Sequence, residues 1–95
     1  MWQTDNAYTL LRELRGLDNP PKEASIEEAR KFLDNLNSCE IMPDPDVIYF
    51  QPYEDEKGIG DIVFKWLSED GDFDIEICFS YYDSYPEFRL VKHED

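Results

Sequence analysis

The stretch GDIVFKWLSEDGDFDIEICF, residues 60 to 79, decides the fold, because its apolar residues change side at every step and its middle is a turn. Asp61 to Leu67 sets Ile62, Phe64 and Trp66 against Val63, Lys65 and Leu67, which predicts a central strand with two fairly apolar faces. SEDG, residues 68 to 71, is the hairpin turn. Asp72 to Phe79 then alternates strictly, with Phe73, Ile75, Ile77 and Phe79 on one face and Asp72, Asp74, Glu76 and Cys78 on the other.

Outward from this hairpin, Val47 to Gln51 is β-branched and aromatic and reads as a strand, and EDEKGIG, residues 54 to 60, as a flexible turn. Glu87 to Lys92 reads as a final strand pairing back. The run Met42-Pro43-Asp44-Pro45-Asp46 cannot continue a helix, since proline lacks an amide hydrogen and pushes its predecessor toward extended geometry.

Helical spacing marks the first third. Thr4 or Asp5 is placed to cap a helix in which Ala7, Leu10, Leu11 and Leu14 share one face, with Gly16 at its end. After LDNPPKEA, Ser25 and Glu28 form a capping-box pattern, and Ile26, Ala29, Phe32, Leu33 and Leu36 make an apolar stripe over about residues 26 to 37. The expected fold is therefore α+β: two N-terminal helices packed on one face of a four-stranded antiparallel sheet. It forms a single domain over residues 1–95, helical in 1–38 and an antiparallel meander in 46–92.

Composition bounds the function. With 41% hydrophobic and 15% aromatic residues among 95, the chain has the apolar content of a folded domain. Twenty-three Asp and Glu against nine Lys and Arg leave a net charge of −14, which repels nucleic acid and anionic lipid and makes both poor direct partners. The N-terminus MWQTDNAYTL lacks the pattern of a secretory signal, and no stretch approaches the roughly 20 apolar residues of a membrane span, so a soluble cytoplasmic protein is expected. Cys39 and Cys78 have no metal-binding spacing and read as reduced thiols.

The charge is unevenly spread: residues 40 to 77 hold 12 acidic and 2 basic residues, whereas the helical third is close to balance. Alternate residues of a strand stand about 6.8 Å apart on one face, so Asp72, Asp74 and Glu76 make a regular anionic row whose spacing resembles that of successive phosphates. A solvated sheet face normally mixes signs, because like charges opposite one another destabilise. The candidate partner-binding residues are thus Glu69, Asp70, Asp72, Asp74 and Glu76, with Glu54, Asp55 and Glu56 as a second patch. Tyr81 and Tyr82, in SYYDSYPEF, add stiff contact area with a polar tip.

Catalytic and metal chemistry find little footing. A calcium loop starting at Asp70 needs glycine at position 75 and glutamate at 81, where Ile75 and Tyr81 stand. His93 is the only histidine and reads as a frayed surface residue near the C-terminus, so no nucleophile–base pair is assembled. No enzyme activity, metal or cofactor is expected.

In size, helical start and the acidic hairpin GDIVFKWLSEDGDFDIEI, residues 60 to 77, the chain resembles the small acidic inhibitors of phages and mobile elements, notably anti-CRISPR proteins, and also bacterial immunity proteins that neutralise nuclease toxins. The resemblance implies a non-enzymatic nucleic-acid mimic that occupies the basic groove of a nucleic-acid-binding protein or complex in a bacterial host. The alternatives are an immunity protein or antitoxin against a nuclease, and a structural interaction domain that uses its apolar and tyrosine surface.

Overall fold

A computed structural model of the chain describes residues 4–39, 43–82 and 85–93. Helix α1 (Thr4–Glu13) passes into a single 3-10 turn (Leu14–Gly16), and helix α2 (Glu23–Cys39) follows. Four strands complete the chain: β1 (Val47–Pro52), β2 (Gly60–Leu67), β3 (Phe73–Ser80) and β4 (Glu87–Lys92). They form one antiparallel sheet in the order β1-β2-β3-β4, an α+β fold built on a meander.

The helices run longer than their apolar stripes. Residue 22 follows Pro20-Pro21, and its carbonyl accepts the amide hydrogens of Ser25 and Ile26, so α2 opens at Glu23. Ser25 therefore lies inside the first turn, where its hydroxyl cannot act as the N-cap read from the sequence. The capping roles read for Thr4 and Asp5 fall on side chains outside the described ones, as do Met42 and the Cys39 side chain. Tyr8 joins the helices: its hydroxyl donates to Asp34 and accepts from the Asn37 amide at 2.9 Å.

The alternation of the strands sorts the core. Ile48, Ile62, Phe64, Trp66 and Ile77 form one buried cluster with Ala7, Leu11 and Leu14 from the first helical segment and Ile26, Ala29 and Leu33 from α2. Phe32 and Phe64 both meet Phe79 edge-on, each with ring centroids 5.1 Å from it. The Trp66 indole donates to the Pro43 carbonyl at 2.8 Å, so the proline-rich connection closes over the end of β2.

Contact with the helices is concentrated on three strands: α1 packs on β1, and α2 on β2 and β3. On β4, Phe88 and Leu90 face the same side as Ile77 and Ile75, opposite which they pair, yet they remain 66% and 61% exposed.

Candidate functional site

The opposite face of the sheet carries the residues that the charge pattern singled out. Asp74 and Glu76 stand there on adjacent outward positions of β3, as alternation requires, and Asp72 precedes them in the turn. The strand register places Lys65 of β2 directly opposite Glu76 on one side and Arg89 of β4 directly opposite it on the other. Lys65 Nζ comes within 3.3 Å of Glu76 and 3.9 Å of Asp74, Arg89 lies 3.9 Å from Glu76, and His93 Nε2 is 2.8 Å from Asp74. Beneath these long side chains Asp74 and Glu76 are only 5% and 7% exposed.

The centre of the row is thus a covered, charge-compensated layer, which corrects the reading of Asp72, Asp74 and Glu76 as one continuous exposed anionic strip. Cations on both neighbouring strands land beside the same carboxylates, and their aliphatic stems exclude water from them. Hydrogen bonding to Glu76 raises the Lys65 pKa above its ordinary value. Lys65 also lies 5.7 Å from the centre of the Tyr49 ring, and burial, reinforced by the Glu76 charge, raises the Tyr49 pKa. His93 is no frayed end: its amide donates to the Asp72 carbonyl at 2.8 Å and extends the β3–β4 ladder. Cys78, in the same face, is a buried free thiol whose pKa burial raises.

The remaining candidates separate into two exposed groups at opposite ends of β2, whose eight residues span roughly 25 Å. Glu69, Asp70 and Asp72 occupy the β2–β3 turn, all exposed. Among the described residues none of the three side chains forms an ion pair. At the other end the β1–β2 loop brings Glu54, Asp55 and Glu56 beside the β3–β4 tyrosines.

Here the fold assembles residues far apart in the chain. The Tyr82 hydroxyl donates to the Glu56 carboxylate at 2.8 and 2.9 Å, its ring stacks on Tyr53 with centroids 6.1 Å apart, and Tyr81 meets Tyr82 edge-on. Tyr53 is itself anchored, donating to Asp61 at 2.8 Å and sharing a hydrogen bond with Ser80. The loop between is held rather than flexible: the Gly58 amide donates to the Asn19 side chain, its carbonyl accepts from the Lys22 amide, and its φ of +77° places glycine in the left-handed region. Tyr81, Tyr82 and the 84% exposed Tyr85 present ring surface to solvent.

Beside this cluster an open groove of about 580 Å³ runs between α2 and the β3–β4 connection, with Phe32 and Phe79 in its floor and Glu28, Lys31, Tyr81 and Tyr85 on its rims. Tyr85 and Phe32 as groove residues were not among the sequence-derived candidates; the crowding of rings in SYYDSYPEF was the signal that pointed toward the first. No set of His, Cys, Asp and Glu among the described residues is arranged to hold a metal ion, and no helix among them is long and apolar enough to cross a membrane. No protein-family model, curated protein or solved structure matches this chain.

Proposed function

We propose that the protein is a non-enzymatic, cytoplasmic inhibitor that binds a basic, nucleic-acid-handling protein, and that it docks through the acid-and-tyrosine end of its sheet. The reading takes both helices to cover the Ile62–Phe64–Trp66 face, which leaves the tyrosine end, the groove and β4 as the surface available for a partner.

One observation carries the proposal: Glu54, Asp55 and Glu56 share a loop end with exposed Tyr82, which stacks on the half-buried Tyr53 and holds the Glu56 carboxylate in place. Carboxylates pair with arginine forks and rings stack on guanidinium planes, so the pairing of these two groups is the complement of an arginine-rich surface. The net charge of −14 steers such an encounter from a distance. The covered Asp74 and Glu76 are compensated by Lys65 and Arg89, so the exposed acids supply the field, with Glu69, Asp70 and Asp72 as a separate outpost. An immunity protein against a basic nuclease would use the same chemistry. The groove beside Phe32 favours a second reading, an interaction domain that binds through apolar and tyrosine contacts.

Proteins captured from bacterial lysate by the immobilised chain should be released by added salt and by excess double-stranded DNA, which competes for the same basic groove. Reversing Glu54 and Glu56 to Lys should abolish capture, while reversing Asp70 and Asp72 should weaken it mildly through the lost field. Capture that persists in high salt and excess DNA would sink the electrostatic reading and leave the apolar one standing.

A further inference from the structure

The two edges of the sheet are built differently. The amide of His93 donates to the carbonyl of Asp72, a bond on the β3–β4 register. Ladder groups alternate in direction along a strand, so Glu87, Arg89 and Val91 also turn their backbone groups toward β3. Phe88, Leu90 and Lys92 consequently point their amide hydrogens and carbonyls outward, away from the sheet.

On β1 the Tyr53 amide donates inward to Ile59, so the outward positions there are Ile48, Phe50 and Pro52. Pro52 removes a donor from that edge, one of the ordinary protections of an edge strand. β4 has no proline within it: its pairing with β3 is continuous from Glu87 to Lys92 without a bulge, its outward donors are intact, and Phe88 and Leu90 lie exposed on one side of it. It is also locally basic in an acidic chain, with Arg89 and Lys92 against Glu87.

We infer that β4 is a self-pairing edge, on which a second copy of this chain adds its own β4 antiparallel to form a continuous eight-stranded sheet about a two-fold axis at Leu90. Side-chain chemistry selects that register. Centring on Leu90 sets Phe88 opposite the second copy's Lys92, lets Phe88, Leu90 and Lys92 each exchange both backbone groups, and puts Glu87 opposite the second copy's His93. The ring of Phe88 then lies along the aliphatic stem of that lysine. Centring on Arg89 would oppose two guanidinium groups, centring on Val91 would oppose Arg89 to His93, and centring on Phe88 would bring Pro86, which lacks a donor, into the ladder.

The consequence reaches the surface described above. Because the strands run antiparallel, each end of the joined sheet carries the acid-and-tyrosine cluster of one copy and the Glu69–Asp72 turn of the other. The two acidic groups that one chain separates along β2 would share a rim. This pairing stands independently of the basic partner proposed above.

Sedimentation equilibrium of the full chain tests it. The mass should rise toward twice the chain mass with concentration, and added salt should strengthen association because each copy carries −14; binding to a basic partner responds to salt in the opposite sense. Leu90→Pro removes an outward donor and no β3 bond, so it should leave the melting curve near wild type and the sample monomeric. In a Cys39→Ser background, oxidised Leu90→Cys should form a crosslinked pair, its two Cα atoms meeting across the axis within disulfide range, whereas Phe88→Cys, opposite Lys92, should not. A wild-type chain that stays monomeric at high concentration and high salt, or crosslinking that is equal at the two positions, overturns the inference. Should Leu90→Pro fail to fold, the crosslinking pair still decides.

Discussion

Replacing Lys65 by Met keeps the length and apolar stem of the side chain and deletes only the charge. In the native structure that ammonium group lies 3.3 Å from Glu76 and 3.9 Å from Asp74, both carboxylates nearly inaccessible to water. At an effective dielectric of about 20, each contact has a gross attraction of about 4 to 5 kcal/mol. Desolvation and side-chain ordering offset most of that in the wild type, but removing one partner leaves the carboxylates covered and short of a cation, a change that costs about 3 to 5 kcal/mol in fully buried pairs. Arg89 and His93 still touch the two acids, and Lys65 retains a quarter of its exposure, so the expected loss is near the lower bound, about 3 kcal/mol. For a chain of this size each kcal/mol moves the melting temperature by about 4 to 8 °C, so Lys65→Met should melt roughly 12 to 24 °C lower in a urea- or heat-denaturation assay followed by circular dichroism. Adding Glu76→Leu should recover much of the loss, because an apolar replacement of the anion removes the orphaned charge. A loss below about 1 kcal/mol, the value of an exposed ion pair, would show that water reaches the carboxylates and that the compensated layer described here does not exist.

The alkaline limb of the stability curve follows from the same geometry. Lys65, Tyr49, Tyr8 and Cys78 all have pKa values raised in the folded chain, by Glu76 for the lysine and chiefly by burial for the others, so their contribution is complete below the ordinary values of 9.0 to 10.5 and is lost as pH rises through the folded ones. Denaturation midpoints measured from pH 8 upward should therefore fall steadily beyond pH 9, with Lys65→Met showing a shallower decline. In a Cys39→Ser background, Cys78 should react with a thiol reagent far more slowly in the native chain than in urea, since it is buried and its thiolate is disfavoured. Gly60→Ala should cost about 2 kcal/mol or more, because a β-carbon there would lie 2.3 Å from the Gln51 carbonyl oxygen; Gly71→Ala, with open space around it but a φ of +76°, should cost about 1 kcal/mol from left-handed backbone strain alone. Tyr8→Phe should lower stability by about 1 kcal/mol, as Asp34 and Asn37 lose the hydroxyl that joins the two helices.

Much of the architecture was legible because it depends on local period. The i, i+3, i+4 stripe of Ile26, Ala29 and Leu33 and the alternation of Ile75, Ile77 and Phe79 reappear as a helix and a strand with the same faces inward, while Phe73, at the start of β3, stays 40% exposed. The start of α2 was missed by a few residues, because the Lys22 carbonyl and its tie to Gly58 end the loop before Ser25 is reached. The candidate site was only half legible. Asp74 and Glu76 were found on the face expected of them, but the side chains that cover them come from residues 65, 89 and 93, and which of these meets which carboxylate depends on register across three strands. The adjacency of Glu56 and Tyr82 was likewise hidden, since 26 residues separate them in the chain.

Amino-acid order alone thus determined the elements, their faces and the large negative charge, all of which rest on interactions between near neighbours or on simple counting. The fate of that charge belonged to the tertiary structure. Pairing β3 between β2 and β4 set cations against the middle carboxylates and left the ends bare, because electrostatic energy depends on distance in space and on access to water, neither of which a linear pattern carries.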